Sequence, residues 1–262
     1  MRLHFMNHTN ILSLVTCNPF DAITENVITL MTNSRPSSNY IPYYNYNQEA
    51  RAFVRYESMD IDYCKTNKYN EMVLGLTSEI ISILQKMHKG GIALGQISES
   101  KRGAEVSKNF LREEVTGLKT LIGQDMKKYA IFWNSTYLSP SHKEYRRLKQ
   151  FFDSELLYLR RVDSMLEATI SQSYRFGFNK NVYGIKLKTP CLYDIRYVLA
   201  CINSKALDFY YKKKFSTKKA DVFPEIQTYL YEQLPIYAAS IKQQQPIIDL
   251  VDKILFIIVI VL

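Results

Sequence analysis

The chain has 262 residues, 47% of them hydrophobic and 23% charged, a balance that excludes a disordered or collagen-like polymer and leaves room for one large or two small domains. Only 9 Gly and 8 Pro stand against 20 Tyr, 13 Phe and one Trp, which excludes extensive low-complexity linkers. The formal net charge of +9 is unevenly placed: residues 1–100 hold 8 basic and 9 acidic residues, leaving 26 basic against 16 acidic for residues 101–262, so a basic partner-binding surface is expected in the second part.

The first ten residues include Arg2 and several polar Asn and His residues rather than an apolar run, so no secretory leader is expected. Residues 11–31 carry two apolar runs, ILSLV and NVITLM, on either side of Asn18, Pro19, Phe20 and Asp21, and predict two strands. Residues 33–48, rich in Asn, Ser, Pro and Tyr, predict a loop or exposed linker. From Asn70 onward Met72, Val73, Leu76, Ile80, Ile83, Leu84 and Met87 recur at helical spacing until the Gly90, Gly91 pair. They predict a connecting amphipathic helix of about four to five turns.

Short strands are then predicted at 92–97, 118–122, 129–133, 155–162 and 182–187, each bounded by Gly, Asn, Ser or Pro. Helices are predicted at 141–152, 193–214, 225–232 and 245–254, the last with Pro246 in its first turn. Many short strands interleaved with a few helices predict an α+β fold. The closing run ILFIIVIVL, residues 254–262, falls far short of the roughly 20 apolar residues that span a bilayer. It reads as a buried helix end, a strand or a frame-shifted remnant, and no membrane partner is expected.

Chemistry-bearing motifs are few. Cys17, Cys64, Cys191 and Cys201 are scattered, without a CxxC pair or a His at zinc spacing, so they read as reduced thiols of a cytoplasmic protein and no metal site is expected. A P-loop, a GxGxxG and an HExxH are missing from the sequence, and His4, His8, His88 and His142 sit in polar or charged neighbourhoods without a paired Cys or Ser context. Asn18, Pro19 and Phe20 resemble half of the Asn-Pro-Pro-aromatic loop with which amino-group DNA methyltransferases cradle a flipped base, without the second proline that makes the cradle rigid. No catalytic residue is therefore assigned. Basic charge combined with many aromatic rings suits nucleic acid, because cations neutralise phosphates while rings stack on bases.

The second part contains a series of blocks: LGQISESKRGAEVSK at 94–108, LIGQDMKKYAIFWNSTYL at 121–138, LLYLRRVDSMLEATISQ at 156–172, NVYGIKL at 181–187, YVLACINSKALDFYYKKK at 197–214, FPEIQTYLYEQLPI at 223–236 and QQPIIDLVDKIL at 244–255. Their order and spacing resemble the TaqI-like C-terminal specificity domain, the target-recognition domain of adenine-specific DNA methyltransferases and type IIG restriction-modification enzymes. The resemblance implies a remnant of the α/β catalytic domain at 1–35, a linker at 36–69, a connecting helix at 70–91, the recognition domain at 92–255 and an off-pattern apolar tail at 256–262. It also implies double-stranded DNA as partner, with an upstream methyltransferase polypeptide as a second partner. S-adenosylmethionine would bind the full-length enzyme, no cofactor would bind this chain, and the chain alone would be inactive. A split methyltransferase that is still active, and a general RNA-binding or basic scaffold protein, stand as alternatives.

Within the blocks, Lys101, Arg102 and Gly103 form a basic turn whose glycine would admit a phosphate close to the backbone. Arg146, Arg147 and Lys149 lie on the predicted helix 141–152. Arg160 and Arg161 alternate across a predicted strand, so that one can face a groove while the other pairs with a carboxylate. Asn203, Ser204 and Lys205 interrupt an apolar helical pattern and either cap a helix or place a lysine at the DNA backbone. Lys212, Lys213, Lys214, Lys218 and Lys219 make the densest basic run and are the leading candidates for phosphate contact, with a solvated run as the alternative at each of them.

Overall fold

The computed structural model describes residues 2–17, 26–55, 58–66, 73, 76–106, 117–161, 165–171, 174–215 and 226–261. The chain divides into two compact units, Met1–Lys86 with Lys213–Lys219, and Met87–Lys212 with Ala220–Leu262. Asn18, Pro19, Phe20, Met72, Lys218 and Lys219 lie outside the described residues.

The first unit opens with α1 (Arg2–His8), β1 (Asn10–Cys17) and β2 (Asn26–Thr32). It continues through β3 (Tyr40–Ile41), β4 (Tyr43–Asn47), β5 (Ala52–Arg55), β6 (Met59–Asp60) and α2 (Ile61–Thr66) to α3 (Ser78–Lys89). Four strands form a sheet in the order β2-β1-β4-β5, with β1 and β4 parallel. A register shift between Ile11 and Ser13 resets the alternation of β1, so Ile11, Leu14 and Thr16 are all buried despite their uneven spacing. Ile11 and Leu14 pack with Met6, Ile41, Met59, Ile61 and Cys64. Burial raises the Cys64 thiol pKa to about 11, which keeps it protonated and inert.

The strands β3 and β4 fall in the stretch 33–48, whose composition predicts a loop. There β4, sequence YYNYN, is held between β1 and β5, and the Tyr43 hydroxyl hydrogen-bonds Thr16 Oγ1 at 2.9 Å. Tyrosine suits such a half-buried pleated surface, and pairing outweighs the turn preference of the intervening Asn residues.

The second unit runs through β7 (Gly91–Ala93), α4 (Leu94–Ile97), β8 (Ser98–Arg102), β9 (Leu118–Leu121), β10 (Met126–Lys127), β11 (Ala130–Ile131) and β12 (Tyr137–Leu138). Next come α5 (Lys143–Phe152), β13 (Leu157–Arg160), β14 (Ala168–Ile170), β15 (Gly177–Phe178) and β16 (Val182–Leu187). The last elements are α6 (Ile195–Asn203), α7 (Lys205–Phe215), α8 (Thr228–Tyr231), β17 (Pro235–Tyr237) and α9 (Ile241–Val261). The mixture is α+β, with an antiparallel sheet β14-β13-β16-β8 and a smaller sheet β12-β9-β15.

One crossing joins these two sheets. Phe178 pairs with Leu121 on β9, while its carbonyl accepts from Ala104 N at 2.8 Å and Lys180 N donates to the Ala104 carbonyl at 2.9 Å. A Cβ on Gly103 would collide with the carbonyl oxygens of Phe178 and Asn179, and one on Gly184 would collide with the Phe178 ring. Both glycines therefore admit the Phe178–Asn179 segment. The ring then meets Phe152 and Tyr158 edge-on, at centroid distances of 5.2 Å and 5.9 Å, in a core that includes Leu121, Leu138, Leu148 and Val182.

Several predicted elements change form in this frame. The segment 92–97, expected as one strand, splits into β7 and α4 because Leu94 N and Gly95 N donate to the Leu234 and Glu232 carbonyls instead of extending a ladder. The helix expected at 193–214 breaks at Ser204, whose backbone is extended and whose Oγ accepts from Leu207 N at 3.0 Å, starting α7 as an N-cap does. Asn203, just before the break, clamps β14: its Oδ1 accepts from Ala168 N and its Nδ2 donates to the Ala168 carbonyl, both at 2.9 Å.

Helix α9 starts four residues earlier than expected, where Ser240 and Gln243 bond reciprocally, and it continues through the apolar run to Val261. It is held to α6 by Arg196, which donates to Asp194 Oδ2 at 2.7 Å and to Asp252 Oδ2 at 2.8 Å. The Gln244 side chain adds bonds to the backbone of Leu192, Asp194 and Ala239.

Replacing Gly184 by Ala forces the Phe178 ring out of its seat. Overpacking of this kind costs about 1–3 kcal/mol, so the Gly184→Ala variant should unfold at lower urea with an unchanged m-value, measured by circular dichroism.

Candidate nucleic-acid interface

The crossing of Phe178 and Asn179 past Gly103 brings together side chains that are far apart in sequence. Arg102, at the end of β8, donates from Nε to the Lys180 carbonyl at 3.3 Å. Glu105 lies between two cations, 4.0 Å from Arg102 Nη2 and 3.9 Å from Lys180 Nζ. Its backbone N donates to Glu144 Oε2 at 3.1 Å, which ties the first turn of α5 to the same place. Arg147 grips Glu144 with two bonds, Nη2 to Oε2 at 2.8 Å and Nε to Oε1 at 3.2 Å. Three cations thus meet two carboxylates, with Lys143, Arg146 and Lys149 exposed along the outer face of α5.

Gly103 itself is buried, and the backbone it admits is that of Phe178 and Asn179, not the phosphate anticipated from sequence. Lys101 is exposed on the edge strand β8. Arg146 donates to the Ser141 carbonyl at 3.4 Å and Arg147 is committed to Glu144.

The other sequence candidates scatter. Arg160 pairs with Glu167 at 3.0 Å, and Lys127 approaches the same carboxylate at 3.8 Å. Arg161 is buried, and its backbone joins Asn181 and Ile226. Asn203 is buried and saturated by Ala168, while its carbonyl accepts from Lys128 Nζ at 2.8 Å. Lys205 and Lys213 are exposed, Lys212 is bonded to Asp208 at 2.7 Å, and Lys214 is buried with its Nζ 5.5 Å from the Phe215 ring centroid. Of the described lysines of that run, Lys212 is therefore in an ion pair, Lys214 is buried and Lys213 is exposed.

Glu105, Glu144 and Lys180 escape a search for basic residues. The spacing of Glu144 and Arg147 on one helix face is a readable signal, whereas Lys180 reaches Glu105 only through the bridge between Ala104 and Asn179. A further cation, Lys119, lies 3.9 Å from the Tyr174 ring centroid and 4.7 Å from that of Trp133, a geometry in which the ring faces attract the ammonium.

Among the described residues no group of His, Cys, Asp and Glu side chains is placed to hold a metal ion, and no helix is long and apolar enough to cross a membrane. What the cluster offers is a charged surface on a rigid frame, suited to positioning a polyanion.

Residues 118–236 match the family model of the TaqI-like C-terminal specificity domain.

Among solved structures, the chain is similar to an HsdS subunit from Thermoanaerobacter tengcongensis, at 10% identity and a TM-score of 0.43 over 68% of this chain and 44% of that one. It is also similar to the type IIG restriction endonuclease BpuSI, at 9% identity and a TM-score of 0.47 over 96% of this chain and 40% of that one. A type I restriction-modification S subunit from M. genitalium matches at 12% identity and a TM-score of 0.39, over 74% and 46%. The chain spans less than half the length of each of these. No curated protein matches its sequence.

The Arg147 hydrogen bonds hold the Glu144 carboxyl below its ordinary value of 4.5. The stabilisation this pair contributes is therefore complete above about pH 5 and is lost as pH falls through the depressed value. The melting temperature of the parent protein should fall more steeply between about pH 5 and pH 3 than that of Glu144→Gln, as followed by differential scanning calorimetry.

Proposed function

We propose that this chain reads duplex DNA sequence for a site-specific adenine-N6 methyltransferase of a restriction-modification system. The observation that carries this reading is the TaqI-like specificity domain over residues 118–236. The cations around Glu105 and Glu144 support it, because they stand on a shared frame where phosphates can replace the carboxylates as partners. Cytoplasmic DNA is the expected target.

The first unit supports the further reading that a catalytic domain accompanies this chain. In β2 the side chains of Val27, Ile28, Leu30 and Met31 are exposed, and consecutive residues of a strand point to opposite faces. Apolar side chains on both faces suit a strand of a larger layered sheet. On this reading the S-adenosylmethionine site and the flipped-base cradle belong to an upstream methyltransferase polypeptide. The domain limits of 35, 69, 91 and 255 suggested by the resemblance are part of the same proposal.

Phosphate neutralisation predicts a steep salt dependence. Changing Lys101, Arg102, Arg146 and Lys180 together to Ala should weaken binding to cognate and scrambled duplexes alike and reduce the salt slope by roughly 0.9 for each phosphate that is no longer neutralised. Fluorescence anisotropy titrations at several salt concentrations check this, and tighter binding to RNA than to duplex DNA would favour the RNA-binding alternative.

The chain alone, given S-adenosylmethionine and duplex DNA, should transfer no methyl group. Tritium incorporation into adenine by the purified chain alone would overturn this expectation.

A further inference from the structure

The sheet β12-β9-β15 draws one cation and four aromatic rings together. Lys119 lies on the middle strand, level with Tyr137 of β12. On the other side Gly177 of β15 pairs with Thr120, which brings Tyr174 and Phe176, just before that strand, alongside β9. Trp133 completes the group: its ring is 5.1 Å from Tyr137 and 6.1 Å from Phe176, and Phe176 is 6.0 Å from Tyr174, between centroids. The Lys119 Nζ atom stands over two of these rings at once, 3.9 Å from the Tyr174 centroid and 4.7 Å from that of Trp133.

This seat is anchored in the core and open at the surface. The Trp133 indole donates to the Thr136 carbonyl at 3.2 Å, and Thr120 N donates to the same carbonyl at 2.9 Å. Phe176 is buried, with its backbone N and its carbonyl both bonded to the Tyr158 hydroxyl at 3.2 Å. Tyr174, in contrast, is 55% exposed, and Arg175 beside it is exposed as well. Lys119 differs from the cations around Glu105 and Glu144 in one respect: among the described residues no carboxylate pairs with it.

Ring faces hold an ammonium and leave its charge intact. The long side chain is therefore ordered in advance, and an arriving anion loses little affinity to freezing it. One ammonium at a screened surface is a poor trap for a small free anion, whereas a polyanion that already meets other cations gains from each further phosphate neutralised.

We infer that Lys119 is a backbone-phosphate contact for duplex DNA, separate from the cations around Glu105 and Glu144, with Trp133 and Tyr174 as the residues that position its ammonium. The inference rests on the DNA-reading function proposed above and adds to it a site and a division of labour: the lysine supplies the charge and the two rings supply its placement.

Trp133 is the single tryptophan of the chain, so its emission, excited at the red edge where tyrosine does not absorb, reports on this site alone. A mixed-sequence duplex suffices as probe, because phosphate contacts carry no sequence information. Binding of that duplex to the full chain, followed in parallel by fluorescence anisotropy, should shield Trp133 from acrylamide quenching. Lys119→Met should raise Kd by roughly five- to tenfold at about 0.1 M salt and reduce the salt slope by roughly 0.9, with unchanged circular dichroism, and Lys119→Arg should restore both. Tyr174→Leu should weaken binding while leaving the slope intact, since the charge remains and only its placement is lost. Duplex binding that leaves Trp133 quenching unaltered, a Lys119→Met variant with the parent's Kd and slope, or a loss that Lys119→Arg does not restore overturns the inference and leaves the DNA-reading function standing. Greater shielding by duplex RNA than by duplex DNA also overturns it. A chain that binds no duplex by anisotropy overturns the DNA-reading function and this site with it.

Discussion

The second unit depends on the passage of Phe178 and Asn179 between two glycines. Gly103 leaves room for their carbonyl oxygens and Gly184 leaves room for the aromatic ring, so a two-residue strand can pair with β9 and still cover the middle of β16. Without that passage β12-β9-β15 and β14-β13-β16-β8 would be separate small sheets, each barely reaching the three or more strands with a buried face that independent stability needs. The aromatic ring also joins Phe152 of α5 to Tyr158 of β13, and through α5 it fixes where Glu144 stands.

The charged cluster is consequently a product of the core. Arg102 and Glu105 flank Gly103, Lys180 follows Asn179, and Glu144 reaches the Glu105 backbone, so the same crossing that packs Phe178 gathers the cations. Each arginine in the cluster already has an oxygen partner, which keeps its side chain ordered before any ligand arrives. Exchange of a carboxylate for a phosphate then costs less side-chain entropy than ordering a free lysine.

Sequence patterns reveal the parts of this molecule that follow local periodicity. The strand 182–187 and the helix of residues 143–152 agree closely with their predicted spans, because alternation and helical spacing are local properties. The stretch 43–47 reads as loop yet forms β4, since the partner that makes its tyrosine and asparagine sit in a sheet is β1, about thirty residues away. The break at Ser204 is written in Asn203-Ser204-Lys205, but whether those residues cap a helix or meet a ligand depends on Ala168, which the pattern does not reveal. The lysine run at 212–219 looks like the strongest interface from charge density alone. Burial of Lys214 and pairing of Lys212 with Asp208 are tertiary facts. The opposite error concerns Glu105 and Glu144, acidic residues that help to organise a basic surface.

The packing of the Phe178 ring on Gly184 joins the evolutionary freedom of two positions. A relative that gains a side chain where this chain has Gly184 must shrink the ring across from it, and a relative without the ring gains from filling the void with a methyl group. The two positions should therefore covary as a volume-conserving pair among proteins that share this crossing, even where the surrounding loops have diverged.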